Sequence, residues 1–244
     1  MQLWKPINLA LNVIFPARCP ICDKIVTPFG EKICPSCKSK IEYAYSENYE
    51  EGLCMKCGKP LKNTAAQYCN DCLNNEHVFD RGFALYKYRS VSGSIYRFKY
   101  MKRPEYASFY ADDIEDKMGP LIRSLKSDVI IPVPMHPLKQ NKRGYNQAAV
   151  LAKAIGRRMD IPVNERLVER VKNTVPMKEL DSHGRRNNLK GAFNIKRNDV
   201  KLLTIIVVDD IYTTGSTADA VALELKRAGA SKVYVLSLAI GQGV

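Results

Sequence analysis

The sequence lacks any run of about twenty apolar residues, the length a membrane-spanning helix needs. Its best candidate, residues 3–15, is broken by Lys5, Pro6, Asn8 and Asn12. That stretch suits a short amphipathic N-terminal segment, assigned here to residues 1–18. A basic start, a long apolar centre and a small-residue cleavage site do not occur in order, so no secretory signal is expected and the chain reads as cytoplasmic. Neither the P-loop pattern nor Gly-x-Gly-x-x-Gly occurs, which removes the markers of P-loop nucleotide hydrolases and of dinucleotide-binding domains. No Ser-His-Asp or Cys-His arrangement stands out. A chain of 244 residues with 45% hydrophobic content is too apolar to be disordered. It has room for one sizeable α/β domain and a small appendage.

Net charge is absent from the first third. Residues 1–80 hold 9 basic and 9 acidic residues, and the remainder holds 29 basic against 16 acidic, which is the whole +13. A basic excess confined to one domain points to anionic ligands such as phosphates or nucleic acid.

Cysteine is likewise confined. All eight lie in Cys-x-x-Cys pairs: Cys19/Cys22, Cys34/Cys37, Cys54/Cys57 and Cys69/Cys72. A shift of 35 residues superposes the first four on the last four. Each half is C-x2-C-x11-C-x2-C, a four-thiolate zinc pattern given twice. The two-residue gap lets a tight turn aim both sulfurs at one tetrahedral ion, and Gly58 follows Cys57 where such turns want a left-handed residue. A disulfide scaffold would require an oxidising compartment. A redox pair would be single and beside a βαβ pattern. Two structural Zn2+ ions are therefore expected in residues 19–78, with sequential or cross-braced pairing left open. Chelation is expected to unfold residues 19–72 without releasing the rest.

From residue 79 onward strands and helices alternate. Strands are expected over 83–88, 128–133, 202–208 and 233–240, and helices over 112–126, 145–159 and 217–228, with Gly229 ending the last. The Tyr96, Phe98, Tyr100 alternation, with Arg97 and Lys99 between, reads as a half-buried strand, or else as a stacking surface for single-stranded bases. His77 and His183 are placed in loops or on the surface. The whole reads as an α/β parallel sheet covered on both faces, whose ligands bind beyond the carboxyl ends of its strands.

One stretch carries chemistry: Ile205-Ile206-Val207-Val208-Asp209-Asp210-Ile211-Tyr212-Thr213-Thr214-Gly215-Ser216-Thr217. A buried strand leads through two carboxylates into small hydroxyl residues around a glycine, and then into a helix. Backbone N–H groups at a helix N-terminus favour an anion, and Gly215 permits its close approach. Two carboxylates beside a phosphate cradle suit hydroxyl donors such as a ribose diol, with magnesium nearby. Adjacent strand residues face opposite ways, so the pleat is expected to break at Asp209.

These thirteen residues resemble the signature of type I phosphoribosyltransferases, which bind 5-phosphoribosyl 1-pyrophosphate (PRPP). With the cysteine pairs, Phe98-Lys99-Tyr100, Pro132-Val133-Pro134-Met135-His136 and Arg143-Gly144-Tyr145-Asn146-Gln147, the chain is similar to the ComF family of bacterial competence proteins, implicated in DNA uptake during natural transformation. The resemblance implies a phosphoribosyltransferase-like domain over 79–244. In it Asp209 and Asp210 would hold the ribose, Thr213, Thr214, Gly215, Ser216 and Thr217 the 5-phosphate, and Pro134, Met135 and His136 the pyrophosphate, with Lys139, Lys142 and Arg143 adding cations. Residues 172–189 resemble the loop that closes over PRPP, with Arg185 and Arg186 facing the anion; Met177 and Lys178 depart from the family there, while Arg185 and Asn188 keep its Arg-x-x-Asn spacing. The family also implies Mg2+ with PRPP, single-stranded DNA, and other competence proteins such as a helicase as partners. No hood segment for an acceptor base is recognisable. Three readings stay open: a binding protein for PRPP and single-stranded DNA, a phosphoribosyltransferase with an unidentified acceptor, and a zinc-dependent docking module with a vestigial pocket.

Overall fold

The structure, a computed structural model, describes residues 16–26, 31–45, 52–173, 184, 188–195 and 200–241. Its strands are β1 (Arg81–Lys87), β2 (Val129–Pro132), β3 (Val168–Arg170), β4 (Phe193–Ile195), β5 (Thr204–Tyr212) and β6 (Lys232–Ile240). Its helices are α1 (Pro35–Lys38), α2 (Asn70–Asn74), α3 (Tyr88–Tyr100), α4 (Tyr106–Ser124), α5 (Pro137–Arg143), α6 (Gln147–Met159) and α7 (Ser216–Arg227).

The β-branched run of β5 lies at the centre, in a parallel sheet of order β1-β6-β5-β2. Alternation along β5 sorts the two faces. Ile206 and Val208 pack with α3, α4 and α6. Ile205 and Val207 pack with Ala218, Val221, Ala222 and Leu225 of α7, and with Val168 and Phe193 of the antiparallel β3–β4 pair. The expected sheet covered on both faces is thus present. Among the described residues no helix is long and apolar enough to cross a membrane. Residues 1–15 of the N-terminal segment lie outside the described residues.

Two expectations about elements are corrected. Residues 88–100 form helix α3, not a strand. Val91, Ser94, Ile95 and Phe98 form its buried stripe, and that helical period prevails over the period-two aromatics, because Tyr96 and Tyr100 lie on the exposed side, 58% and 59% accessible. The helix expected at 112 begins at Tyr106, because Tyr106, Ala107, Phe109 and Tyr110 extend its apolar face.

The cysteine-rich halves straddle the β1 edge. Val26, Ile33 and Ile41 of the first half join Phe98, Tyr106 and Tyr110 on one face; Cys54, Cys57 and Cys69 of the second join Phe79, Val233 and Val235 on the other. Between the halves the chain runs beside β1, with Tyr43 bridged antiparallel to Tyr86. Ala44 N–H donates to Leu85 O and Lys87 N–H to Glu42 O, both at 2.8 Å. This covers backbone groups that an open edge would leave for another chain. The second half approaches closely: Gly82 N–H donates to Lys56 O at 2.7 Å, and a β-carbon on Gly58 (φ +72°) would come 2.6 Å from Gly82 O.

Candidate functional site

The loop after β5 is shaped by one glycine. Gly215 has φ +74° and occupies the N-cap of α7. A β-carbon there would stand 2.5 Å from Tyr212 Oη and 2.8 Å from His77 Cε1, so both the backbone and the space require glycine. Thr214 Oγ1 and Ser216 Oγ hydrogen-bond at 2.9 Å. With Asp209, Thr213 and Thr217 they line a small cleft at the carboxyl end of the sheet, where the start of α7 favours an anion.

The two acids lie inside β5, not after it. Asp209 and Ile211 keep register with Ser237 and Ala239 of β6, so the pleat does not break at Asp209 as expected. The sheet pairing persists, and each acid meets a different cation. Asp210 Oδ1 pairs with Lys99 Nζ at 2.9 Å, each side chain 16% exposed. Asp209 Oδ1 accepts from Asp210 N–H at 2.8 Å and interacts electrostatically with Arg170 at the end of β3. Burial, and then the charge of Asp210, push Asp209 up to about 7 against the pull of Lys99 and Arg170. A carboxyl poised near neutrality beside an ionic pair can accept from sugar hydroxyls. These oxygens are also the hard donors that Mg2+ takes, so Asp209 and Asp210 fit that ion.

Lys99 and Arg170 were not picked out from the sequence as site residues, yet a built scaffold holds Lys99. Gln147 Nε2 donates to Lys99 O at 3.3 Å and Tyr145 Oη donates to Phe98 O. Arg143 Nη1 donates to Gln147 Oε1 at 2.7 Å, and its guanidinium lies 4.8 Å from the Tyr100 ring centroid. Asn146 caps α6 through Ala148 N–H at 3.1 Å and donates to Val133 O at 3.0 Å, tying this turn to the end of β2. The Phe98-Lys99-Tyr100 and Arg143–Gln147 segments are therefore one lock.

Pro134, Met135 and His136 follow β2 and lead into α5. His136 Nδ1 accepts from Leu138 N–H at 3.3 Å, so its side chain caps a helix. Lys139 is half-buried and Lys142 exposed on α5, and Arg143 is engaged by Gln147 and Tyr100. Pro134, Met135, Asn146, Arg166 and Arg170 line an adjoining cleft of about 550 Å³. Arg185 and Arg186 lie outside the described residues.

The sulfurs of Cys19, Cys22, Cys34 and Cys37 converge within 4.8 Å, as do those of Cys54, Cys57, Cys69 and Cys72. Pairing is therefore sequential and not cross-braced. Contacts of 3.6 and 3.7 Å between sulfurs match the edge of roughly 3.8 Å expected for a tetrahedron with Zn–S near 2.3 Å. Thiols this close cannot all keep ordinary acidity: hydrogen bonds from Cys37 and Ser36 bring Cys34 to about 6, while burial pushes Cys37 up. Four thiolates close the coordination sphere, so these are structural zinc sites.

His77 lies in a loop, as expected, though not on the surface, and His183 lies outside the described residues. The His77 side chain is 2% exposed and reaches Asp219 on α7.

The chain is similar to several known proteins. The double zinc ribbon domain family matches residues 10–73. Competence protein F of Haemophilus influenzae is 31% identical, covering 92% of this chain and 97% of that protein. DNA utilization protein YhgH of Salmonella typhimurium is 27% identical, covering 91% and 96%. A purine phosphoribosyltransferase from Pyrococcus horikoshii aligns structurally over 54% of this chain and 74% of its own, at 23% identity and a TM-score of 0.34.

Proposed function

We propose that this chain, which belongs to the competence protein F family, binds PRPP with Mg2+ at the carboxyl end of its sheet and serves DNA handling by also binding single-stranded DNA. The observation that carries the PRPP reading is the joining of two features. Asp209 and Asp210, held between Arg170 and Lys99, lead directly into a hydroxyl-lined loop that only glycine can turn. Asp209, which lines the cleft with the loop, takes the ribose hydroxyls, Thr213–Thr217 the 5-phosphate, and the turn after β2 the pyrophosphate, while Asp210 on the other face of the unbroken strand is held by Lys99.

Calorimetric titration with PRPP, with and without Mg2+, tests this. Each charge-assisted hydrogen bond lost in Asp209→Asn with Asp210→Asn is expected to cost about 1.5–3 kcal/mol of affinity. Absence of any PRPP binding by the intact protein would end this reading. Phosphoribosyl transfer would proceed by positioning and by stabilising the departing charge. It would be recognised by release of pyrophosphate that depends on an added acceptor.

The DNA reading is supported by the outer side of α3. Tyr96 and Tyr100 are exposed with ring centroids 5.1 Å apart, and Arg143 stacks on Tyr100. Aromatic faces beside cations stack bases without reading sequence, and this platform borders Lys99.

A further inference from the structure

His77 lies outside both four-sulfur sites and outside the strand–loop–helix motif, yet it touches the loop of that motif and stacks on Phe79, which shares an apolar cluster with Cys54, Cys57 and Cys69. Its Nδ1 stands 2.7 Å from Asp219 Oδ2, and Val78 N–H donates to Asp219 Oδ1 at 2.8 Å. Asp219, in the first turn of α7, donates its own N–H to Gly215 O at 2.8 Å. The ring also sits under the loop, since its Cε1 is what a β-carbon on Gly215 would strike. Away from the loop it stacks on Phe79, ring centroids 5.0 Å apart, and Phe79 meets Tyr212 edge-on at 6.2 Å.

Tyr212 ends β5, and it shares an apolar cluster with Cys54, Cys57 and Cys69. The second ribbon thus supports the loop by two routes, through the chain that carries His77 and through Tyr212. Among the described residues His77 Nε2 and Tyr212 Oη are buried without a hydrogen-bond partner. Leaving such groups unsatisfied is costly, and apolar rings could fill the space without that cost. They could not grip Asp219.

We propose that His77 is a positioning residue that couples metal occupancy of the Cys54–Cys57–Cys69–Cys72 site to the conformation of loop 213–216, so that the second ribbon sets affinity for a sugar 5-phosphate. The coupling to ligand rests on the sugar-phosphate reading of that loop. Metal binding supplies much of a ribbon's folding free energy, and a loop packed against residues of that ribbon follows their stability.

The test uses the full zinc-loaded chain, its His77→Ala, His77→Asn and Cys72→Ser variants, and the His77→Ala/Cys72→Ser double. Amide hydrogen exchange of residues 213–216 is followed without ligand, and ribose 5-phosphate and inorganic pyrophosphate are titrated separately. His77→Ala is expected to speed loop exchange and weaken ribose 5-phosphate about tenfold, with pyrophosphate unaffected. His77→Asn, whose amide can still donate to Asp219, should recover most of the loss. Cys72→Ser, shown by metal analysis to lack one zinc, should reproduce the effect, and the double should be no worse than either single variant. Unchanged loop exchange in His77→Ala, additive losses in the double, or equal weakening of pyrophosphate would overturn the proposal. If the intact chain bound neither ligand while loop exchange still answered to His77 and Cys72, the coupling would stand and the sugar-phosphate reading would fall.

Discussion

Asp209→Asn should make the ligand-free protein more stable at neutral and alkaline pH. Folding moves the Asp209 carboxyl from an ordinary 3.8 up to about 7, chiefly through burial and then through the charge of Asp210. Between these values the native state holds a proton that the unfolded chain has released. Stability therefore falls as pH rises from about 4 to about 7, and the cost is complete above that. At 1.36 kcal/mol per pH unit the full shift amounts to about 4 kcal/mol. Asp209 is only half-buried in the sheet, and solvent screening reduces this to about 2 kcal/mol. The asparagine keeps an acceptor for Asp210 N–H, so the local hydrogen bond of 2.8 Å survives, and only the charge is lost. Urea unfolding of both proteins at pH 5 and pH 8, without magnesium or ligand, measures the difference. The wild type should lose about 1 kcal/mol more than the variant between the two pH values, because part of the cost is already incurred below pH 5. Lys99→Met should steepen the wild-type decline, because it withdraws the cation that opposes the shift. Equal pH slopes in wild type and Asp209→Asn, or a variant less stable at pH 8, would refute the reasoning.

Gly215→Ala should cost roughly 1–2 kcal/mol for its left-handed backbone and about as much again for overlap with the Tyr212 and His77 rings; urea unfolding reads the stability and ribose 5-phosphate titration the site. Chelation should destabilise the sheet as well as the ribbons, contrary to the independence that sequence alone suggests. Val26, Ile33 and Ile41 are buried against α3 and α4, and exposing such side chains costs about 1.5–3 kcal/mol each. Scanning calorimetry with and without chelator should show the main transition moving down, and an unmoved main transition would contradict this. Tyr96→Ala should weaken single-stranded DNA binding by about 1–3 kcal/mol for the stacked base it loses, measured by fluorescence anisotropy at fixed salt, with PRPP affinity unchanged.

What could be read in the chain beforehand was local. β5 and β6 announce themselves as β-branched runs, α7 by Ala218, Val221, Ala222 and Leu225 at helical spacing, and the metal sites by a repeat that the converging sulfurs bear out. Residues 88–100 misled because three aromatics at every second position outweighed Val91, Ile95 and Phe98 at helical spacing, and only packing against β1 and β6 decides which period is buried. The partners of the acids were illegible for a different reason. Lys99 and Arg170 meet Asp210 and Asp209 through strand order and helix placement, and no spacing encodes that; His77 and Asp219 are 142 residues apart. A signal did exist for Lys99, which sits in the Phe98-Lys99-Tyr100 segment on which the family resemblance partly rested.

The role suggested for that segment has to be divided among its residues. Phe98 is core, Tyr100 is platform, and Lys99 alone reaches the acids. The same division runs through Arg143–Gln147, where Arg143, nominated as a pyrophosphate cation, spends its guanidinium on Gln147 and Tyr100. A guanidinium so engaged fixes the lock's geometry. Lys99, whose ammonium pairs with Asp210 at 2.9 Å, is then the cation of these two segments that meets the acids.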